Sequence, residues 1–170
     1  MAISAADVKK LRERTNAGVM ECRNALEEAG GDFDKAAEAL RIKGLTKADK
    51  KSDREANQGL IEVYVHGGRI GAIVEVNCET DFVARNENFR ALARDIAMQV
   101  VAMNPRYISA EERAEGIAAD DPDHQALLEQ VFVRDSKRTI GEMVKEQIAT
   151  LGENIVVRRF ARYELGRSAQ

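Results

Sequence analysis

Two alternating runs of apolar residues, separated by a pair of glycines, constrain the fold most strongly. Ile61, Val63 and Val65 alternate with other residues before Gly67-Gly68, and a second alternating run follows the glycines. Apolar residues at every second position predict a half-buried strand, and two such runs joined by glycines predict a β-hairpin with a tight turn. The second run consists of Ile70, Ala72, Val74 and Val76. From Phe89 onward the apolar period becomes three to four, which predicts a helix.

The change of period falls within the segment Asn77–Val83, which contains an acid followed by a large aromatic, Asp81-Phe82. Such a strand-to-helix connection presents side chains outward more often than a regular element does. Asp81 and Phe82 are therefore candidate binding residues.

Three short amphipathic helices are predicted near the amino terminus. Ser4 is a candidate N-cap of the first helix and Asp32 of the third. The second helix is expected to begin near Val19 and to stop at Gly30-Gly31, and the third to stop at Gly44, because glycine adopts the positive φ of a helix end with little strain. Together they predict a small three-helix bundle whose core would be marginal alone.

Residues 46–58 are rich in charges of both signs and poor in large apolar side chains. This composition predicts a charged linker, either solvated or an exposed helix. Its basic residues are a weak candidate for nucleic-acid binding, because the interleaved acids cancel much of their field. The predicted organisation is a bundle in residues 1–45, a linker in 46–58 and an α+β core in 59–170.

Within this core, Asn104-Pro105 is expected to end the long helix. Ser109–Glu112 resembles a capping box and predicts a short helix. The acidic stretch 120–123 predicts a turn that also favours the start of another helix. That helix would carry Leu127, Leu128, Val131 and Phe132.

The last part of the chain completes the predicted sheet. Thr139–Glu142 is a second capping box and predicts a helix that ends at Gly152. Residues 155–163 are β-branched and aromatic, which predicts a third strand beside the hairpin. The expected fold class is α+β, with helices on one face of a small antiparallel sheet.

Composition excludes several functions. The 26 basic and 29 acidic residues leave a formal charge of −3, so a global positive field for nucleic-acid binding is absent and no direct nucleic-acid partner is expected. Two cysteines without metal-type spacing suit a reducing cytosol. No apolar run approaches membrane-spanning length, and the start of the chain does not resemble a secretion signal. A cytoplasmic, soluble protein is expected.

Enzyme motifs are weak. Gly68–Gly71 lies within the hairpin and lacks the ending of a phosphate loop. Cys78 and His66 are conceivable as a nucleophile and a base, but Cys78 lies in an apolar strand and is expected to be buried and inert. The two cysteines and two histidines show no paired metal-ligand spacing. No catalytic group, metal or cofactor is therefore expected.

Three ordered segments resemble a known family. Leu11–Leu26 and Val76–Val83 closely resemble the two diagnostic segments of bacterial-type elongation factor Ts, and Gly152–Ile155 followed by Arg158-Arg159 resembles a third. The resemblance covers nearly the whole chain. It implies a guanine nucleotide exchange factor whose partner is the GTPase elongation factor Tu. It also implies that the bundle is similar to a ubiquitin-associated fold and docks on the nucleotide-binding domain of that partner.

The resemblance also implies roles for particular residues. Asp81 and Phe82 match the pair that family members insert between helices of the GTPase, where it disturbs the magnesium and phosphate end of the nucleotide site. The other matched positions flank this pair, lie on the bundle, or form a turn near the pair. They are Thr80 and Val83, then Arg12, Val19 and Met20, and finally Leu151 and Gly152.

The sequence departs from the family pattern in three respects. Asn16 replaces a usual glycine, and asparagine tolerates positive φ best after glycine. Val19 replaces a usual methionine and has a shorter reach. The third departure is length, because the chain resembles the short class of the family. In that class a homodimer supplies a second sheet lobe, so a homodimer is expected.

The sequence also leaves two other functions open. An adaptor whose bundle binds a ubiquitin-like or other helical partner would explain the bundle but not the Asp81-Phe82 segment. A thiol enzyme using Cys78 is a more distant alternative.

Overall fold

A computed structural model describes residues 3–15, 17–118, 121 and 124–167. Within these ranges the chain forms six α-helices, a three-stranded antiparallel sheet and a two-stranded hairpin. The predicted α+β class is therefore confirmed. The helices are α1 (Ala5–Thr15), α2 (Val19–Glu28), α3 (Phe33–Asp49), α4 (Asp81–Ala84), α5 (Glu87–Met103) and α6 (Ile140–Leu151). The strands are β1 (Gln58–His66), β2 (Ile70–Cys78), β3 (Val131–Phe132), β4 (Asp135–Thr139) and β5 (Ile155–Glu164).

Helices α1, α2 and α3 form the predicted three-helix bundle around a small apolar cluster, the bundle core. Ser4 Oγ accepts a hydrogen bond from the backbone N–H of Asp7 at 3.2 Å, and the Asp32 carboxylate caps α3. Gly30 and Gly31 have positive φ angles of 62° and 90° after α2. The expected caps and the stop of α2 are thus confirmed. The bundle core consists of Val8, Leu11, Cys22, Ala25, Leu26, Ala36 and Leu40.

The expected stop of the third helix at Gly44 is wrong, because α3 continues to Asp49. A Cβ atom at Gly44 would lie 3.2 Å from the Cβ of Ala149 on α6. The glycine therefore serves a close approach of two helices rather than a helix end. Ala48 and Ala56, within the predicted linker, are buried. The division into 1–45, 46–58 and 59–170 stays a prediction.

The sheet has the strand order β1-β2-β5, and both pairings are antiparallel. Gly67 and Gly68, with φ angles of 56° and 67°, form the turn of the β1-β2 hairpin, as predicted. The predicted third strand is confirmed as β5, beside β2. Helix α5 packs on the inner face of β1 and β2 and buries residues such as Phe89 and Ile96. We call this larger apolar cluster the main core.

The helix expected to carry residues 127–132 is wrong. Leu127–Glu129 form one 3-10 turn, and the strands β3 and β4 follow it. The buried side chain of Gln99 on α5 explains the extended backbone, because its amide donates to the Val131 carbonyl at 3.1 Å and accepts from the N–H of Val133 at 3.0 Å.

The short helix expected at 109–112 is likewise a 3-10 turn, and Ser109 makes no capping bond. Thr139, in contrast, forms the predicted capping box with Glu142 at the start of α6. The conformation of Asn16 and the predicted helix start at 120–123 concern residues that lie outside the described ranges, apart from Asp121.

Candidate protein-binding surface

The end of β2 turns into a single helical turn at Glu79–Val83, a segment that we call the corner. Thr80 is the N-cap of α4, and its Oγ1 accepts a hydrogen bond from the N–H of Val83 at 3.3 Å. Helix α4 ends at Ala84, and Asn86 caps the next helix by accepting from the N–H of Asn88 at 2.9 Å. Two N-caps six positions apart leave room for only one turn between them.

Phe82 is presented to solvent by this turn. Its exposed fraction is 79%, whereas that of Val83 is 5% because Val83 packs in the main core. Asp81, also exposed, forms an ion pair with Arg85 at 2.7 Å. Val83 therefore anchors the corner, and Asp81 and Phe82 face outward.

The turn after α6 is joined to the corner by two carboxylates. Both oxygens of Glu153 accept hydrogen bonds from Thr80, one from the backbone N–H at 3.0 Å and one from Oγ1 at 2.6 Å. In the opposite direction, Glu79 accepts a bond from the N–H of Asn154 at 2.6 Å. Gly152, at φ 80°, reverses the chain between α6 and these residues.

Leu151 and Gly152 thus lie beside the corner. Leu151 is half-buried against the main core, whereas Gly152 is exposed. This pair was predicted from the sequence, whereas Glu153, which makes the direct contacts to the corner, was not. The sequence does contain a signal for Glu153, because this residue belongs to the segment Gly152–Ile155 that resembles the family.

The candidate residues of the bundle lie on its surface. Val19 and Met20 begin α2 and have exposed fractions of 53% and 63%. Arg12 is exposed on α1, next to the buried Leu11. Two adjacent exposed apolar side chains at a helix start form a patch suited to a protein partner. This patch belongs to the bundle, whereas Phe82 borders the main core.

Cys78 is buried beneath the corner, as predicted. Its thiol donates to the Thr80 carbonyl at 3.1 Å, and burial, followed by the nearby charge of Glu153, raises its pKa to about 11. His66 lies at the opposite end of the hairpin, because Cys78 pairs with Gln58 and His66 pairs with Ile70. The arrangement does not provide a thiolate with an adjacent base.

Metal binding and membrane crossing also lack support in the part of the chain that the structure describes. These residues contain no group of three or more His, Cys, Asp or Glu side chains placed to hold a metal ion. None of the described helices is long and apolar enough to cross a lipid bilayer.

The sequence is similar to those of known proteins. The sequence model of the family described as Elongation factor TS matches residues 3–121. Among curated proteins, the chain is 48% identical to elongation factor Ts of Caldanaerobacter subterraneus subsp. tengcongensis, with 96% of this chain and 97% of the relative covered. It is 43% identical to that of Thermodesulfovibrio yellowstonii, with 99% and 98% covered. It is 45% identical to that of Coprothermobacter proteolyticus, with 98% and 100% covered.

These alignments span 194 to 196 positions, more than the 170 residues of this chain. The relatives therefore contain stretches without a counterpart here. Identity of this extent over nearly the full length of both sequences, together with the family match, leads to one conclusion. The chain belongs to the elongation factor Ts family of translation elongation factors.

Proposed function

We propose that the chain is a guanine nucleotide exchange factor that binds the GDP form of elongation factor Tu and promotes the release of GDP. The observation that carries this proposal is the 79% exposure of Phe82 on a short helix whose neighbouring residue is anchored in the main core. A large aromatic held in solvent on a rigid base is suited to insertion between elements of a partner.

The mechanism that we propose requires no catalytic acid or base. By linkage, an exchange factor that weakens GDP binding is itself bound more weakly in the presence of GDP, by the same factor. Phe82 and Asp81 act as a wedge only if they bind the GDP-free state of the partner better than the GDP state, since equal affinity would shift nothing. Such a protein accelerates nucleotide exchange by binding to the GTPase and is not an enzyme.

The bundle has a separate role in this proposal. Arg12, Val19 and Met20 contact the nucleotide-binding domain of the partner, and the bundle resembles a ubiquitin-associated fold. Exposed apolar side chains such as Val19 and Met20 bury surface on docking, which supplies affinity without acting on the nucleotide. The bundle thus supplies affinity for the partner. The corner supplies the difference in affinity between the GDP-free and GDP-bound states of the partner. We expect this activity in the cytoplasm, with no direct contact to nucleic acid or membrane.

We further propose a homodimer formed through the sheet. The face opposite α5 carries contiguous apolar side chains: Val63 pairs with Ile73, and Ile73 pairs with Ala161 on β5. A cluster of exposed apolar side chains on one face is typical of an interaction surface. A second copy of the same face would cover it symmetrically. The large exposed apolar side chains of this outer face are Ile61, Val63, Val65, Ile73 and Tyr163.

The exchange activity is tested by stopped-flow release of a fluorescent GDP analogue from elongation factor Tu. We expect the native chain to accelerate release and the Phe82→Ala variant to lose most of the acceleration. Met103→Ala is a matched control, because Met103 is an exposed apolar residue at the end of α5, outside the proposed contacts. A native chain without effect would contradict the proposal and favour the adaptor function, which a pull-down with a partner other than a GTPase would then support.

A further inference from the structure

The hydrogen bonds between Glu153 and Thr80 set the position of the corner. We propose that Glu153 is the positioning residue that directs Phe82 toward a partner, an inference that rests on the exchange function proposed above. Glu153 itself does not need to touch the partner. It acts through the backbone of the residues on either side of Phe82.

Phe82 cannot be held by its own packing, because most of its side chain is in solvent. Its direction is therefore set by the backbone of α4, which is a single turn of four residues. A helix of this length is not stable by itself, because the first hydrogen-bonded turn is the costly step of helix formation. External contacts at the ends of α4 must hold the turn in place.

At the start of α4 those contacts come from Glu153. Its two oxygens accept from two different donors of Thr80, the backbone N–H and Oγ1. Two-point contact restricts rotation as well as translation, which a single hydrogen bond does not. The same Oγ1 also accepts the bond from the N–H of Val83. One carboxylate therefore orients the hydroxyl that closes the turn around Phe82.

Glu153 is in turn held by a firm support. Its neighbour Asn154 is buried, and the Asn154 side-chain amide donates to the carbonyls of Ser52 and Arg54 at 3.1 and 2.7 Å. The N–H of Asn154 donates to Glu79, so the corner and the turn are joined at two consecutive positions on each side. A side chain supported in this way can transmit a fixed geometry to Phe82.

Stability alone does not account for this arrangement. The corner is also anchored in the main core by Val83 and continues directly from the end of β2, and neither attachment involves Glu153. The N–H and hydroxyl of Thr80 lie near the surface, where water can replace the carboxylate. Loss of Glu153 is therefore expected to leave a folded chain in which the direction of Phe82 is no longer restricted.

The test compares Glu153→Ala, Glu153→Gln and the native chain in GDP release, at increasing concentrations of each. We expect Glu153→Ala to lower the maximal release rate on the order of tenfold, because misplaced groups lose most of their effect. The concentration for half-maximal rate should change little, because the bundle contacts are intact. Glu153→Gln should recover most of the rate, since its amide oxygen accepts from the Thr80 N–H and its amino group donates to Oγ1.

A matched control is Glu115→Ala, because Glu115 is an exposed glutamate outside these contacts. Amide hydrogen exchange supplies a readout that does not involve the partner: protection of the Thr80 and Val83 amides should fall in Glu153→Ala, with an unchanged melting temperature. A Glu153→Ala chain with the native maximal rate would overturn the inference while leaving the exchange function intact. A native chain that does not accelerate release would instead overturn the exchange function, on which this role depends.

Discussion

Phe82 and Val83 are adjacent in one helical turn, yet the exposed fraction is 79% for the first side chain and 5% for the second. Burying a phenylalanine contributes about 1.5 to 3 kcal/mol to folding. At position 82 most of this contribution is forgone. The same side chain remains available for burial against another protein, and the proposed function depends on this difference.

Phe82→Ala should therefore reduce exchange without reducing stability. We expect its free energy of unfolding to stay within about 0.5 kcal/mol of the native value, as for exposed substitutions in general. Phe89→Ala, which removes a fully buried ring of α5, should cost about 3 to 5 kcal/mol. Urea unfolding followed by circular dichroism measures both. A loss of several kcal/mol in Phe82→Ala would mean that Phe82 belongs to the core.

The double substitution of Val19 and Met20 by alanine should affect binding rather than the nucleotide step. We expect the concentration for half-maximal GDP release to rise roughly tenfold, equivalent to about 1.4 kcal/mol. The maximal rate should stay near the native value, because the corner is unaltered. Titration in the stopped-flow assay separates the two quantities. A reduced maximal rate at saturation would contradict the separate role of the bundle.

Ile73→Lys places a charge at the centre of the outer face of the sheet, between Val63 and Ala161. If two copies pair through this face, the buried ammonium group would be unpaired and the dimer would dissociate. We expect light scattering to give twice the chain mass for the native protein and the single chain mass for the variant. Met103→Lys is the control and should stay dimeric. A native chain of monomeric mass at micromolar concentration would refute the dimer.

Cys78 should be unreactive in the folded protein. Its pKa is raised to about 11, mainly by burial, so the thiolate that reacts with alkylating agents is only about a thousandth of the population near pH 8. We expect mass spectrometry to find slow modification by iodoacetamide in the native state and rapid modification in denaturant. Fast stoichiometric labelling of Cys78 in the native chain would revive the thiol-enzyme alternative.

Glu142 should make stability depend on pH. Its pKa is lowered, first by the hydrogen bond from the Thr139 N–H and also by Arg41, so the fold favours the carboxylate. This contribution is fully present above the ordinary pKa of 4.5 and is lost as the pH falls through the lower value in the folded state. Glu142→Gln should therefore be less stable than the native chain near pH 7, and this difference should shrink as the pH falls below 4.5. Urea unfolding across this range tests it, and a difference independent of pH would contradict it.

The elements predicted correctly carry local signals. The β1-β2 hairpin follows from alternation around Gly67 and Gly68, and the bundle follows from caps such as Asp32. Two errors arose from contacts between distant residues. Gly44 resembles a helix stop until Ala149 on α6 is known to approach it, and Gln99 on α5 holds residues 131–133 in an extended form.

The candidate site could be predicted only in part for the same reason. The change of apolar period locates the corner, but it does not by itself show that the side chain of Phe82 is exposed. Thr80 and Glu153 lie 73 positions apart, and no local spacing rule connects them. Their contact follows from the pairing of β2 with β5, which places the end of one strand beside the start of the other.

The close approach of Gly44 to Ala149 has a consequence for how a partner is bound. It brings α3 against α6, and Arg41 and Lys145 add ion pairs to Glu142 and Asp49 across this contact. The bundle patch and Phe82 are thereby parts of one connected body. For a partner that is already held by the bundle, the encounter with Phe82 is intramolecular, with an effective concentration set by the fold. The rate of that second step is then independent of how much of the protein the cell contains.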